Sequence, residues 1–237
     1  MITQQLALPD GQVIPYQLCL RPRRTVGLKI TASGLVVHAP HRLPAAQLVQ
    51  VLQDKAHWIQ SKLALRAAMT EPPMQWQSGE ALWWMGQSIV LALQPGGRQQ
   101  AVRLEGSALV VPTPEPDNPA LTARKVLQWY QRQALPDFSR RVQLVATQMG
   151  ETVNHIALSN ARARWGSCNS RREIRLNWRL IQAPPQLIQY VVCHEMAHLR
   201  EMNHSARFYA ELRALYADYP AAEAALKQWS NKLHRMA

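Results

Sequence analysis

The apolar positions change period several times along the chain, and each change predicts an element. Val26, Leu28 and Ile30 alternate with Gly27 and Lys29, "TASG" reverses the chain, and "LVVHAP" follows, so this stretch reads as a β-hairpin. After Pro44 the repeat lengthens. Leu48, Leu52, Ile59 and Leu63 recur at helical spacing on one face, and a proline suits the first turn. Two strand-like runs, "SIVLAL" and "ALVVP", flank the glycine turn "QPGGRQQ". Then "VPTPEPDNP" carries four prolines in nine residues and can continue neither a helix nor a central strand. Residues 112–119 are therefore read as a semi-rigid connector between a β-rich domain, 1–111, and a second domain, 120–237, with a long surface loop inside one domain as the equal alternative.

The second domain opens on a long helical pattern in which Pro136 predicts a kink or split and Gly150 the stop. Residues 154–180 read as a hairpin. Its last strand sets Ile174, Leu176, Trp178 and Leu180 on one face and Arg175, Asn177 and Arg179 on the other, predicting one buried and one wet, cationic face. Pro184 and Pro185 open a helix, Ser205 caps the next, and Pro220 opens the last. No internal repeat is evident. The predicted class is α+β, with a β-rich N-terminal portion holding one helix and a largely helical C-terminal portion.

Composition narrows the setting. Hydrophobic content of 47% and charged content of 18% belong to a folded globular chain. "MITQQLALPDGQ" lacks the basic start and apolar core of a signal peptide. The most apolar run, "ALWWMGQSIVLAL", is broken by Gly86, Gln87 and Ser88 and is too short to span a bilayer. Cys19, Cys168 and Cys193 form no C-x-x-C pair, which fits a reducing compartment, so a cytoplasmic location without membrane association is expected. Lys and Arg exceed Asp and Glu by 27 to 15, giving +12. Such a surface keeps a protein soluble, and it also attracts polyanions such as nucleotides or nucleic acid.

The chemistry concentrates in "VVCHEMAHLREMNHSARFY". On a helix, four residues at about 100° each return to within about 40°, so His194 and His198 share a face one turn apart. Two imidazoles so placed converge on one cation without bending the backbone. Glu195 lies beside them, where it reaches a metal-bound water as a general base without being a ligand. A catalytic zinc site ordinarily takes three protein ligands and leaves a position for water. His204 is the favoured third ligand, since "LREMN" is long enough to end the helix and turn back; Glu201 and Glu211 are the rivals. The neighbouring Leu187, Ile188, Val191, Val192, Met196 and Leu199 predict a mostly buried helix. Two core histidines bonded to carbonyls are the plain alternative, but buried imidazoles beside a third histidine fit a cation better. Zinc would bring the pKa of its water towards ~7, with Glu195 taking the proton and passing it to the departing amine. Arg162, Arg164, Tyr209 and Asn177 are candidates to stabilise the oxyanion. Cys193 points about 100° away from His194 and is expected to be a small buried residue; Cys168 is expected to pack beside a turn rather than act as a nucleophile.

Residues 162–209, with R-W-G-S-C, L-N-W-R-L, H-E-x-x-H and N-H-S in order, resemble the YgjP-like metallopeptidases, relatives of the SprT and WLM-type zinc peptidases. The resemblance implies a zincin-like arrangement in which a small sheet's edge strand borders a cleft above the metal helix. It also implies His194, His198 and His204 as zinc ligands, Glu195 as base, and an extended peptide or protein as substrate. Two other functions compete. Six arginines between Arg162 and Arg179 favour a metal-dependent nucleoside triphosphate pyrophosphohydrolase, although a His-rich site suits zinc better than magnesium and no phosphate-cradling glycine loop is present. A basic nucleic-acid-binding protein is the third reading.

Overall fold

The structure, a computed structural model, describes residues 2–8, 11–31, 33–69 and 74–236. The chain forms two compact units, Met1–Glu71 and Pro72–Ala237. Among the described residues there are six α-helices and three small sheets, a mixed α+β fold with a β-rich N-terminal part and a helical C-terminal part.

In the first unit, strands β1 (Ile2–Ala7), β2 (Val13–Arg21), β3 (Gly27–Thr31) and β4 (Gly34–Pro40) form a sheet of order β1-β2-β4-β3. The expected hairpin is the antiparallel β3–β4 pair, while β2 and β4 run parallel. The helical run after Pro44 is two helices, α1 (Ala45–Asp54) and α2 (Ala56–Met69), separated at Lys55. The spacing located the buried face: Leu48, Leu52 and Ile59 join Leu6, Ile14, Leu35 and Val37 in the core, and Leu63 packs against it.

The second unit repeats this sheet. Strands β5 (Ala81–Trp84), β6 (Gln87–Pro95), β7 (Arg103–Glu105) and β8 (Ala108–Thr113) have the order β5-β6-β8-β7, again with the central pair parallel and both outer pairs antiparallel. The central strands start 21 residues apart in both sheets, at 13 and 34 and at 87 and 108. "GLVVHAP" and "ALVVPT" are their equivalent last strands. The two copies share little else in sequence, which is why no repeat was expected.

The division between units falls at Glu71–Pro72 and not at residues 112–119. Pro112 and Thr113 finish β8 in register with β6, and Asn118 caps the helix that Pro119 begins. Lys125, on that helix, donates to the carbonyls of Pro112 and Gly97, so the proline-rich segment is bound into the second unit. Helix α3 (Pro119–Met149) ends at Gly150 in the left-handed conformation (φ 66°), as a glycine stop requires. Pro136 neither ends nor splits α3. Proline removes one backbone donor, but Ala134 and Phe138, both 0% exposed, hold the helix to the core on either side of it. Tyr130, also fully buried, donates its hydroxyl to the Trp83 carbonyl (2.8 Å) and thereby joins α3 to β5.

The third sheet holds β9 (His155–Ser159), β10 (Gly166–Cys168) and β11 (Glu173–Asn177) in the order β10-β11-β9. The expected hairpin is β10–β11; β9 pairs parallel on the far side of β11. The alternation predicted past Asn177 fails, because Trp178–Gln182 is a 3-10 turn. Arg179 is consequently buried rather than wet, stacked over the Trp178 ring (4.4 Å) and bonded to Asn160 Oδ1 (2.6 Å). Gly86, at φ 82°, lets the β5–β6 turn bond this 3-10 turn through Met85 and Gly86 N–H groups. Three helices complete the unit: α4 (Pro185–Ala197), α5 (Ala206–Leu215) and α6 (Tyr219–Leu233). Their starts fall where the prolines and Ser205 predicted, with the Ser205 hydroxyl accepting from Phe208 N–H.

Candidate active site

Helix α4 packs against α3, α5, α6 and β10, and most of its side chains are buried. Its last turn presents His194, and His198 caps it. The chain then turns through Leu199–Asn203 and brings His204 back, so that the ligand nitrogens of His194, His198 and His204 all lie within 4.8 Å of one another. His194 Nε2 and His204 Nε2 are 3.1 Å apart. His198 Nδ1 donates to the Glu201 carbonyl (3.0 Å), which leaves its Nε2 as the free lone pair. Phe208, 0% exposed on α5, holds the cluster from beneath. It stacks on His198 (4.5 Å) and meets His194 (5.0 Å) and His204 (4.7 Å) edge-on.

The rivals for the third position lie elsewhere. The Glu211 carboxylate accepts from Arg200 (2.9 Å), and Glu201 contributes its backbone carbonyl. Among the described residues these three histidines form the cluster suited to a cation. Desolvation keeps two of the rings neutral: His194 is pushed down to about 4, chiefly by burial and then by His198 and His204, and His198 is lowered mainly by burial. A neutral ring has a lone pair to give a metal. Two nitrogens 3.1 Å apart are closer than twice the ~2.0–2.1 Å zinc–nitrogen bond, so one ion can touch both. The donor set fits zinc.

Above the histidines opens a cleft of about 480 Å³. Gly166, Ser167 and Cys168 of the edge strand β10 line one side, and Glu223, Leu226, Lys227 and Ser230 of α6 line another. Glu195 lies at the floor, 5% exposed, its carboxyl raised to about 8 by burial and opposed by the charge of Arg164. Cys168 does not merely pack beside a turn; it lines the cleft. Burial and then Glu195 push its thiol up to about 11, so it stays protonated and a poor nucleophile. Cys193 is 1% exposed, as expected.

Of the four oxyanion candidates, Arg164 lines the cleft. Asn177 is committed elsewhere, donating to the Ala161 carbonyl (2.7 Å), and Tyr209 stacks on Tyr219 (5.6 Å). Arg162 is not part of the cleft lining, and its charge is felt at Arg179 and His234. The cleft also holds residues that sequence reasoning passed over. Tyr190 precedes His194 by one helical turn and lies edge-on to it (6.1 Å), a placement the same spacing argument reaches. Glu223 and Lys227 pair at 3.2 Å across a turn of α6, and only the tertiary fold brings them here.

A family profile, YgjP-like, metallopeptidase domain, matches residues 24–229, most of the chain. The chain belongs to this family. It is therefore a metallopeptidase by family, and a hydrolase by class. Solved structures similar to it include the metallopeptidase zymogen jannalysin of Methanocaldococcus jannaschii, at 22% identity over 38% of this chain and 91% of that one, with a TM-score of 0.33. The metallopeptidase zymogen abylysin of Pyrococcus abyssi is similar at 15% identity over 38% of this chain and 90% of that one, with a TM-score of 0.35. No curated protein matches. No helix among the described residues is long and apolar enough to cross a membrane.

Proposed function

We propose that this YgjP-like chain is a zinc-dependent peptidase that hydrolyses peptide bonds in an extended peptide or protein segment, with His194, His198 and His204 as the metal ligands and Glu195 as the general base. The convergence of three imidazoles beside a buried carboxyl on the floor of an open cleft carries the reading. Zinc, when bound, supplies Lewis acidity to water and to a substrate carbonyl and draws the Glu195 carboxyl towards its ionised form. Glu195 takes the proton of the attacking water at a carboxylate oxygen and hands it to the departing amine nitrogen. Strand β10 has a partner on one edge, β11, and its open edge gives an extended substrate backbone groups to bond. Arg164 is positioned to offset negative charge on the former carbonyl oxygen, and Tyr190, whose phenol burial keeps protonated, can donate a hydrogen bond from α4.

Two observations favour the peptidase reading over the phosphoanhydride one. Of the arginines that suggested it, Arg164 lines the cleft, Arg172 is paired with Glu151 (2.5 Å), and Arg179 is buried. Three unpaired cysteines suit a reducing compartment and support a cytoplasmic location. The purified protein is expected to hold about one zinc per chain. His194→Ala or His198→Ala should lose most of it. Glu195→Gln should keep the zinc and lose hydrolysis of a dye-labelled unfolded protein. Zinc content indifferent to both histidine replacements, or full activity in the glutamine variant, refutes the assignment.

A further inference from the structure

Gly166 has no conformational reason to be glycine. It does not lie at positive φ, and it pairs regularly with Leu176 in the β10–β11 ladder. What it lacks is space for a side chain. A Cβ built on Gly166 would crowd Oε1 of Glu195 and stand 2.6 Å from its Cγ and 2.7 Å from its Cδ. Real Cβ atoms essentially never approach so closely, so something must yield, and all three crowded atoms belong to the Glu195 side chain.

The strand has little freedom to retreat instead. Asn177 N–H bonds the Trp165 carbonyl (2.8 Å), and the Asn177 amide, 0% exposed, holds the Ala161 carbonyl (2.7 Å). Trp165 itself stacks on His234 at 4.8 Å. From the side of α4, Glu195 is 5% exposed on a helix packed against α3, α5, α6, the 3-10 turn, β10 and β11. Two rigid walls thus meet with a carboxyl between them, and the cheapest response to an added methyl is rotation of that carboxyl.

We propose that Gly166 is a positioning residue: its bare Cα is the wall against which the Glu195 carboxyl rests, and it fixes that carboxyl in place for proton transfer. The proposal builds on the reading of Glu195 as the base. Metal binding is untouched by it, because Gly166 acts on the carboxyl and not on the imidazoles. Substrate binding along β10 uses backbone groups that an alanine would still present.

The test uses the full-length, zinc-loaded chain with Gly166→Ala, Glu195→Ala and the double variant beside the wild type. Gly166→Ala is expected to keep its zinc and a near-normal KM for dye-labelled unfolded casein, while kcat falls by about 100-fold or more, the range a displaced general base forfeits. A kcat within about twofold of wild type overturns the proposal. Thermal midpoints supply a readout independent of activity. Gly166→Ala should lower the midpoint when Glu195 is present and should cost nothing in the Glu195→Ala background, where the methyl fills vacated space. An equal loss in both backgrounds would place the crowding elsewhere and overturn the proposal. Should Gly166→Ala alone fail to fold, the double variant must fold, and its failure refutes the idea equally. If Glu195→Gln proves active while the midpoints still couple, the reading of the base falls but the contact between the two residues stands.

Discussion

Phe208 touches all three imidazoles from one side, and no polar group on it competes for their nitrogens. Its ring therefore sets the rotamers that let His194, His198 and His204 converge. Phe208→Leu keeps apolar volume but removes the flat face on which His198 stacks. Zinc should bind roughly 10–100-fold more weakly, the usual cost of loosening the shell behind metal ligands, as read by competition with a chromophoric chelator. Unchanged affinity would mean that backbone placement alone aligns the rings. Phe208 itself was not read from the sequence, unlike the residues that it supports. The histidines and Glu195 could be read because helix geometry converts a spacing of four into a shared face, and because His204 lies close along the chain. Tyr190 was within reach of the same argument. Gly166, Glu223 and Lys227 were not, since they come from strands and helices whose approach to α4 is decided by tertiary packing.

The elements carrying the site are tied together by charge as well as by apolar contact. Glu151, just past α3, bonds Arg172 of the β10–β11 turn (2.5 Å) and Arg200 beyond α4 (3.0 Å), and Arg200 continues to Glu211 on α5 (2.9 Å) and the Met149 carbonyl (2.6 Å). The hydrogen bonds from Arg172 and Arg200 hold the Glu151 carboxyl below its ordinary value of 4.5. A depressed folded pKa stabilises the fold fully above the unfolded value, and that stabilisation fades as pH falls through the folded value. Glu151→Gln should thus lower the thermal midpoint near neutral pH, and the gap from wild type should close as pH drops well below 4.5. A gap that stays constant across that window would show that the carboxylate charge is not what joins these elements. Other parts of the element pattern were harder to read. Pro15 hides the alternation of Ile14, Tyr16 and Leu18 that makes β2, although it sits in a strand paired with β1. The alternating pattern runs on past the strand through Trp178, Arg179 and Leu180, because the Asn177 side chain accepts from Arg179 N–H and turns the strand into a 3-10 turn. In each case a single residue, Pro15 inside its strand or Asn177 at the end of its own, carries information that period counting does not see.

The repeated sheet shows how the chain divides its work. Both copies place a parallel central pair between antiparallel outer strands, and both are followed by helix, yet they serve different cores. In the first unit α1 and α2 cover the sheet with Leu48, Leu52 and Ile59. In the second, α3 supplies Val126, Trp129, Tyr130 and Phe138 to a core that runs on through β11 and α4 to Phe208, Leu212 and Leu226. All three histidines, Glu195 and every residue lining the cleft belong to Pro72–Ala237. So do the residues of the core beneath them. A chain of 166 residues is long enough to bury about two thirds of its surface and fold alone. Expressed by itself, residues 72–237 should be folded and bind one zinc with an affinity within about tenfold of the full chain, a difference under about 1.4 kcal/mol. Circular dichroism and metal titration of the fragment check this directly. A fragment that is unfolded, or folded without zinc, would show that the first unit is needed to build the metal site and that the shared sheet topology is more than a repeated scaffold.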